Sequence, residues 1–281
     1  MWLYMLFFIQ FLKLQIIKEL IDMTKALFFD IDGTLVSFKT HAIPASTVEA
    51  LKRAKANGVK IYISTGRPFL FINNLSQIAS LIDGYMTNNG AYCFIGNRDV
   101  CMHPIAKDDV QRIIEVCQQK QIGCVVVGKD KIAAIHPEKM EYIMQDMLHV
   151  PYKKLVSSLS EVMQGDVLQV TPFFTIEQEA EVLPHLHSVA SARWYPDFTD
   201  ITASKANKGE GLVAMAEAEG IAIADTMAFG DGGNDVTILR QAGIGVAMGN
   251  AVDDVKATAN YVTTSVDDDG IAYALKHFGV I

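Results

Sequence analysis

Short apolar runs, each closed by an acid, a turn or a helix signal, set the rhythm of the chain. Residues 26–29 (ALFF) are apolar on both faces, which predicts a strand buried inside a parallel sheet. Residues 44–57 carry helical spacing, with Val48, Leu51 and Ala54 on one side and Glu49, Lys52 and Lys55 on the other. Ser46 or Thr47 is placed to cap its start, and Gly58 stands where such a helix should stop. Residues 59–64 (VKIYIS) predict a second strand. The Thr65-Gly66-Arg67-Pro68 break should then open a helix running to about Ser80. A third strand is predicted at 85–87, ending on the turn Asn88-Asn89-Gly90. This β-α-β-α-β order predicts an α/β fold: a parallel, doubly wound (Rossmann-like) sheet with right-handed crossovers. Ligands of such sheets bind outside the carboxyl ends of the strands.

From about Pro104 the pattern changes. Helices are expected at 108–120, near 138–148 and at 177–187. Strands are expected at 124–127 and 132–135, paired around Gly128-Lys129-Asp130, then at 167–174 and near 192–195. Paired strands between helices predict an α+β unit with a mostly antiparallel sheet. The parallel pattern resumes after Thr202, with helices at 208–219, 235–242, 252–259 and 270–278 and strands at 226–229, 244–248 and 261–263. The expected organisation is a core of 23–104 and 202–281, interrupted by an inserted α+β domain at 105–201.

Length and composition fit this division. The chain has 281 residues, 50% hydrophobic and 20% charged, enough for two domains with a real core. No internal repeat or low-complexity tract is visible. A formal net charge of −8 argues against a nucleic-acid surface, which needs clustered Lys and Arg. It leaves anionic substrates open, because a bound divalent cation and a few placed donors reverse the local sign. None of Cys93, Cys101, Cys117 and Cys124 forms a CxxC pair, and His103 and His136 are poorly spaced to complete a zinc set. Free thiols in a reducing cytoplasm are expected.

Residues 1–22 stand apart. The apolar run of about twelve residues is too short for the roughly 20 that span a bilayer, and Lys13 and Lys18 break up the stretch after it. An interfacial anchor, an uncleaved signal-like segment and an extension from an upstream start codon compete as readings. A dispensable or artefactual extension is the expectation, without membrane association. No feature of the sequence sets an oligomeric state.

The candidate chemistry lies at the predicted strand ends. Asp30 and Asp32 close the first strand, Thr65 ends the second, Lys208 begins a late helix, and Asp231, Asn234 and Asp235 follow a later strand. All fall on one edge of the predicted sheet. Clustered carboxylates repel without a counter-charge. Oxygen ligands with no nearby Cys or His select Mg2+ over zinc. A lysine and a threonine hydroxyl suit phosphate oxygens, and the amides of Thr65, Gly66 and Arg67 at a helix start would add donors. The set suits phosphoryl transfer, where positioning and charge neutralisation dominate.

Structural roles compete for several of these residues. Asp231 and Asp235 are placed to cap the next helix, and Lys205 competes with Lys208. Arg67 either pairs with a nearby acid or contacts substrate, and Asn89 either lines a pocket or makes a turn. Arg193, Trp194, Tyr195 and Asp197 are placed either for a sugar contact or for packing, and His185 and His187 read as an exposed helix end.

DIDGTL at 30–35, STGR at 64–67, Lys208-Gly209 and GDGGND at 230–235 resemble the four motifs of the haloacid dehalogenase-like (HAD) superfamily. Within it the chain is similar to the Cof-type sugar phosphatases, whose type IIB cap is inserted between the second and third motifs. DxD or TGR alone is weak. DxDGT after a buried strand, with GDGGND about 200 residues later in the right order, is specific. The resemblance extends from Met23 to Ile281.

It implies a role for each residue. Asp30 would attack phosphorus and carry an aspartyl-phosphate. Asp32 would protonate the leaving alcohol and later take a proton from water. The Asp30 and Asp231 side chains and the Asp32 backbone carbonyl would hold Mg2+, with Asp235 one layer behind. Thr65, Gly66, Arg67 and Lys208 would bind phosphate, and Asn234 would contact phosphate or a metal-bound water. The inserted cap would set substrate choice. A cytoplasmic, magnesium-dependent phosphatase of small phosphorylated metabolites, sugar phosphates foremost, is therefore expected. The rivals are a phosphatase of nucleotide or cofactor phosphates and a non-catalytic metabolite-binding module.

Overall fold

The computed structural model describes residues 24–147, 150 and 152–281. The expected 1–22 extension and the Leu148 end of the helix near 138–148 lie outside the described residues. The chain opens with β1 (Ala26–Phe29), α1 (Ala45–Ala56) and β2 (Lys60–Ser64). β3 (Gly84–Thr87), β4 (Tyr92–Ile95) and β5 (Arg98–Met102) follow, then α2 (Lys107–Lys120), β6 (Cys124–Gly128) and β7 (Ile132–Ile135). Next come α3 (Leu159–Met163), β8 (Val167–Pro172), α4 (Ile176–Val182), β9 (Val189–Tyr195) and β10 (Phe198–Ala203). The last stretch holds α5 (Lys208–Ala218), β11 (Thr226–Gly230), α6 (Val236–Gln241), β12 (Ile244–Ala247), α7 (Asp253–Thr258), β13 (Tyr261–Val262) and α8 (Gly270–His277).

Two compact units result. The first takes the described residues through Ile63, then Gln77–Asp83 and Ala216–Ile281; the second takes Ser64–Ser76 and Gly84–Met215. The expected boundaries at 104/105 and 201/202 do not coincide with this division, because β3 to β5 and the start of α5 group with the second unit.

In the first unit the strands run parallel in the order β13-β12-β11-β1-β2. β1 lies between β11 and β2 and has all four residues buried, so every position must be apolar. Phe29 stacks on Phe229 with centroids 4.7 Å apart, and Phe28 on Tyr62 at 4.9 Å. Burying each such ring contributes about 1.5–3 kcal/mol. α1 starts at Ala45, two residues earlier than a Ser46 cap would require and three earlier than a Thr47 cap. Pro44 takes the position before the helix, so Ser46 and Thr47 fall inside the first turn and neither caps it. Gly58 ends the helix as expected, at φ +83°.

The helix expected from 68 to about 80 does not form. Only single 3-10 turns appear, at Phe69–Phe71 and Ala79–Leu81. Ile72 and the Asn73-Asn74 pair are poor helix formers. Packing decides the rest: Phe71 is buried in the second unit with Val125, Val127 and Ile132, whereas Gln77–Asp83 belong to the first.

The second unit contains an antiparallel meander, β3-β4-β5, and a five-stranded antiparallel sheet in the order β7-β6-β8-β10-β9. The β4–β5 hairpin, α3 and β10 have no counterpart among the elements expected from sequence. Their signals were present: Gly96-Asn97 marks the hairpin turn, and Ser158 with Glu161 forms a capping box at the start of α3. α2 lays Val110, Ile113, Ile114 and Cys117 into a core with Val126, Val170, Phe174 and Ile201. The segment 138–148 is a 3-10 turn (Pro137–Lys139) and a π-helical stretch (Tyr142–Met147). α4 stops at Val182, and a 3-10 turn containing Pro184 replaces the rest of the expected helix. A parallel α/β sheet with a separate antiparallel α+β sheet bears out the expected fold class. Among the described residues no helix is long and apolar enough to cross a membrane.

Candidate active site

Parallel pairing of β1 with β11 brings the carboxyl ends of two strands side by side; the Asp30 amide donates to the Phe229 carbonyl at 3.1 Å. Asp30 follows β1 and is 7% exposed. The chain then folds back tightly: the Val36 amide donates to Ile31 O at 2.7 Å and the Gly33 amide to Val36 O at 2.9 Å. Asp32, half-buried, bridges to Val36 in this loop. Gly33 sits at φ +87°. A β-carbon there would overlap the Asp231 carboxylate, 2.8 Å from its Cγ.

Thr34 and Asn250 both hold Asp231. Thr34 Oγ1 donates to its Oδ1 at 2.8 Å, and Asn250 Nδ2 donates to its Oδ2 at 3.2 Å. Asn250 Nδ2 also reaches Gly33 O at 2.8 Å, while its Oδ1 accepts from the Val266 amide at 2.9 Å. Asn250 thereby ties the loop after β12 to both acidic loops. Sequence reasoning passed over Thr34 and Asn250. The available signal was that Met248-Gly249-Asn250 follows a strand of the same sheet, as GDGGND does.

Asp235, 1% exposed, accepts from the Asp231 amide at 3.0 Å and the Gly232 amide at 2.9 Å through Oδ2. It closes the turn that presents Asp231. Gly230 leaves the space for it, since a β-carbon there would stand 2.7 Å from Asp235 Oδ2. Asn234 folds over Gly232 in the same turn. Asp30, Asp231 and Asp235 each offer an oxygen within 4.8 Å of the others. Three carboxylates at that spacing repel, and a cation removes the cost. The donors are hard oxygens with no His or Cys in the group, which fits a magnesium-type ion. Gly33→Ala should therefore lower stability by about 1–3 kcal/mol and displace Asp231 enough to cost about 100-fold in kcat/KM. Steady-state kinetics beside a denaturant melt checks both figures.

The second unit holds the other candidates. Thr65 is 2% exposed and Lys208 is 0% exposed, whereas Lys205 lies exposed. The helix-start amides expected at 65–67 take a different form, because no α-helix follows. The Arg67 amide donates to Thr65 Oγ1 at 3.1 Å and the Thr65 amide to Met86 O at 2.9 Å. Arg67 Nη1 donates to Phe71 O at 3.2 Å, a bond within its own loop. Asn89 is a turn residue at φ +53°, with its side chain against Gly66. Asn207 accepts from the Glu210 amide at 3.0 Å and caps α5, at whose start Lys208 stands.

Arg193 is occupied structurally. Its Nε donates to Glu179 Oε2 at 2.8 Å, Nη2 to Phe174 O at 2.9 Å and Nη1 to Pro196 O at 2.6 Å. Tyr195 stacks on Phe198, Asp197 is exposed, and the Trp194 side chain lies outside the described residues. His185 and His187 are exposed, as expected.

Comparison with known proteins adds the family. The model of haloacid dehalogenase-like hydrolases matches residues 27–275. The solved structure of BT4131, a HAD subclass IIB sugar phosphatase, is 49% identical and superposes with a TM-score of 0.85, covering 92% of this chain and 100% of that one. The putative phosphatase YkrA of Bacillus subtilis is 30% identical over 262 residues, covering 92% of this chain and 99% of the relative. The pyridoxal phosphate phosphatase YbhA of Escherichia coli is 30% identical over 264 residues, covering 89% and 96%. With an acidic cluster at adjacent strand ends and a family match over nearly the whole described chain, this protein belongs to the haloacid dehalogenase-like hydrolases, as a phosphatase of small phosphorylated metabolites.

Proposed function

We propose that the chain hydrolyses sugar phosphates with the help of Mg2+. The meeting of Asp30, Asp231 and Asp235 within 4.8 Å carries this reading. A cation relieves such a group without protonating the nucleophile, beyond what the amide and side-chain donors on Asp231 and Asp235 supply. The Asp30 and Asp231 side chains and the Asp32 backbone carbonyl would hold the ion. Asp235 would stand behind them, its Oδ2 engaged by two amides. The bound ion supplies charge neutralisation at the phosphoryl oxygens.

The protein's own residues then divide the work. An Asp30 oxygen attacks phosphorus, and the bond from phosphorus to the ester oxygen breaks. Asp32 gives its proton to the departing alkoxide. Water next attacks the aspartyl-phosphate, loses a proton to Asp32, and frees Asp30 and inorganic phosphate. Thr65 and Lys208, both buried, are assigned to phosphate oxygens, with Gly66, Arg67 and Asn234 in support. The inserted domain, residues 105–201, is assigned the choice of leaving group.

The 49% identical sugar phosphatase supports the substrate class. The pyridoxal phosphate phosphatase supports a second reading, a cofactor phosphate. A cytoplasmic setting accords with four cysteines present as thiols, and the net charge of −8 accords with no nucleic-acid partner. A phosphate-release screen of the purified protein with magnesium tests the substrate. The panel holds hexose and pentose phosphates, nucleotides and pyridoxal phosphate. The highest kcat/KM should fall among the sugar phosphates. A maximum at pyridoxal phosphate would replace the first reading by the second, and no turnover of any compound would sink both.

A further inference from the structure

The turn Asn88-Asn89-Gly90 is unusual for its backbone. Asn88 and Asn89 both lie at φ +53°, in the left-handed region that asparagine enters more readily than most residues but ordinarily as a single residue. Both are buried, at 2% and 6% exposure. Consecutive left-handed residues persist only where their surroundings hold them.

Within the second unit, contacts on three sides hold this turn. On one side the Asn89 amide donates to Thr65 O at 3.0 Å and the Asn88 amide to Arg67 O at 3.2 Å. The Thr65 loop therefore rests on the turn. On another side Gly90 lies against Asn207, where a β-carbon would stand 2.7 Å from the carbonyl carbon. Asn207 immediately precedes Lys208 and caps its helix. The third contact leads into the antiparallel sheet. Asn88 Nδ2 donates to Gln169 Oε1 at 3.1 Å, and Gln169 Nε2 donates to Asp200 Oδ1 at 2.8 Å and Thr171 Oγ1 at 3.0 Å. Thr171 Oγ1 in turn donates to Asp200 Oδ1 at 2.7 Å.

The relay has one direction. A carboxylate only accepts, so Asp200 makes Gln169 present Nε2 to it and Oε1 to Asn88. That orientation makes Asn88 donate. Gln169 is 2% exposed and Asp200 5%, where apolar residues would pack at lower cost. Ala91, Leu168 and Ala206, neighbours in sequence of the turn, of Gln169 and of Asn207, share one apolar cluster.

We propose that Gln169 and Asp200 are positioning residues: through Asn88 they set the left-handed turn on which the Thr65 loop and the Lys208 helix start both rest. The proposal depends on the phosphate-binding roles assigned above to Thr65 and Lys208. The chemistry itself touches neither Gln169 nor Asp200.

The test uses p-nitrophenyl phosphate with magnesium and the full chain. Gln169→Leu removes the relay at similar volume, and Asp200→Asn keeps the volume while removing the obligate acceptor. Each should lower kcat by about 10- to 100-fold with KM changed by less than about threefold. The double variant should be no worse than the weaker single one, because both act through one chain of bonds. Val126→Ala, a cavity in the same sheet at a buried residue, serves as a control for stability alone and should keep kcat. Relay variants within about twofold of the wild type, or no slower than this control at equal loss of melting temperature, would overturn the proposal. Turnover by Asp30→Asn would instead defeat the underlying mechanism, whatever the relay variants do.

Discussion

Asp30→Asn should reduce kcat by about 10,000-fold or more while leaving the protein folded. The change keeps the shape of the side chain and removes its charge and its nucleophilic oxygen. Asp30 is 7% exposed at the end of a buried strand, so a bulkier replacement would confuse lost chemistry with lost packing. Asparagine avoids this. It also leaves two carboxylates where three stood, which lowers the repulsion with Asp231 and Asp235. The melting temperature should therefore hold or rise while activity vanishes. Acid-quenched wild-type enzyme given labelled substrate should retain label on Asp30, and the variant should retain none. Wild-type turnover by Asp30→Asn would place the nucleophile elsewhere.

Removing magnesium should be almost as severe. Dialysis against a chelator should lower activity about 100-fold or more, and added magnesium should restore it. A second readout is independent of turnover. A ligand that binds only the folded state at 100 times its Kd adds about 2.7 kcal/mol to stability. Magnesium should thus raise the melting temperature of the wild type. Asp231→Asn should lose most of that rise, because Asp231 supplies one of the three clustered oxygens. Full activity in chelator, or identical melting with and without magnesium, would remove the ion from the reading.

The acids were legible in sequence for a physical reason. A strand buried on both faces must be apolar throughout, so ALFF stands out and the carboxylates closing it require a purpose. The same applies to TMAFG before Asp231 and to the strands β6 and β7, where a short turn sets the pairing locally. The region 68–80 was not legible. Its apolar residues serve two different units, and no local period records which residue serves which. The caps expected at Ser46 and Thr47 lie two and three residues past the observed cap position at Pro44, because a helix boundary is the feature a linear pattern marks least sharply.

The sequence by itself determined the order of the parallel strands' motifs, the acids that end them and the family they belong to. Those features depend on local burial and spacing, which a linear pattern records. Only the tertiary structure decided what orients the acids. Thr34 and Asn250 reach Asp231 from positions 197 and 19 residues away, and Asn88 meets Gln169 across 81. Such bonds exist because strand pairing brings remote loops to one place, and no local residue pattern encodes which remote donor will arrive there.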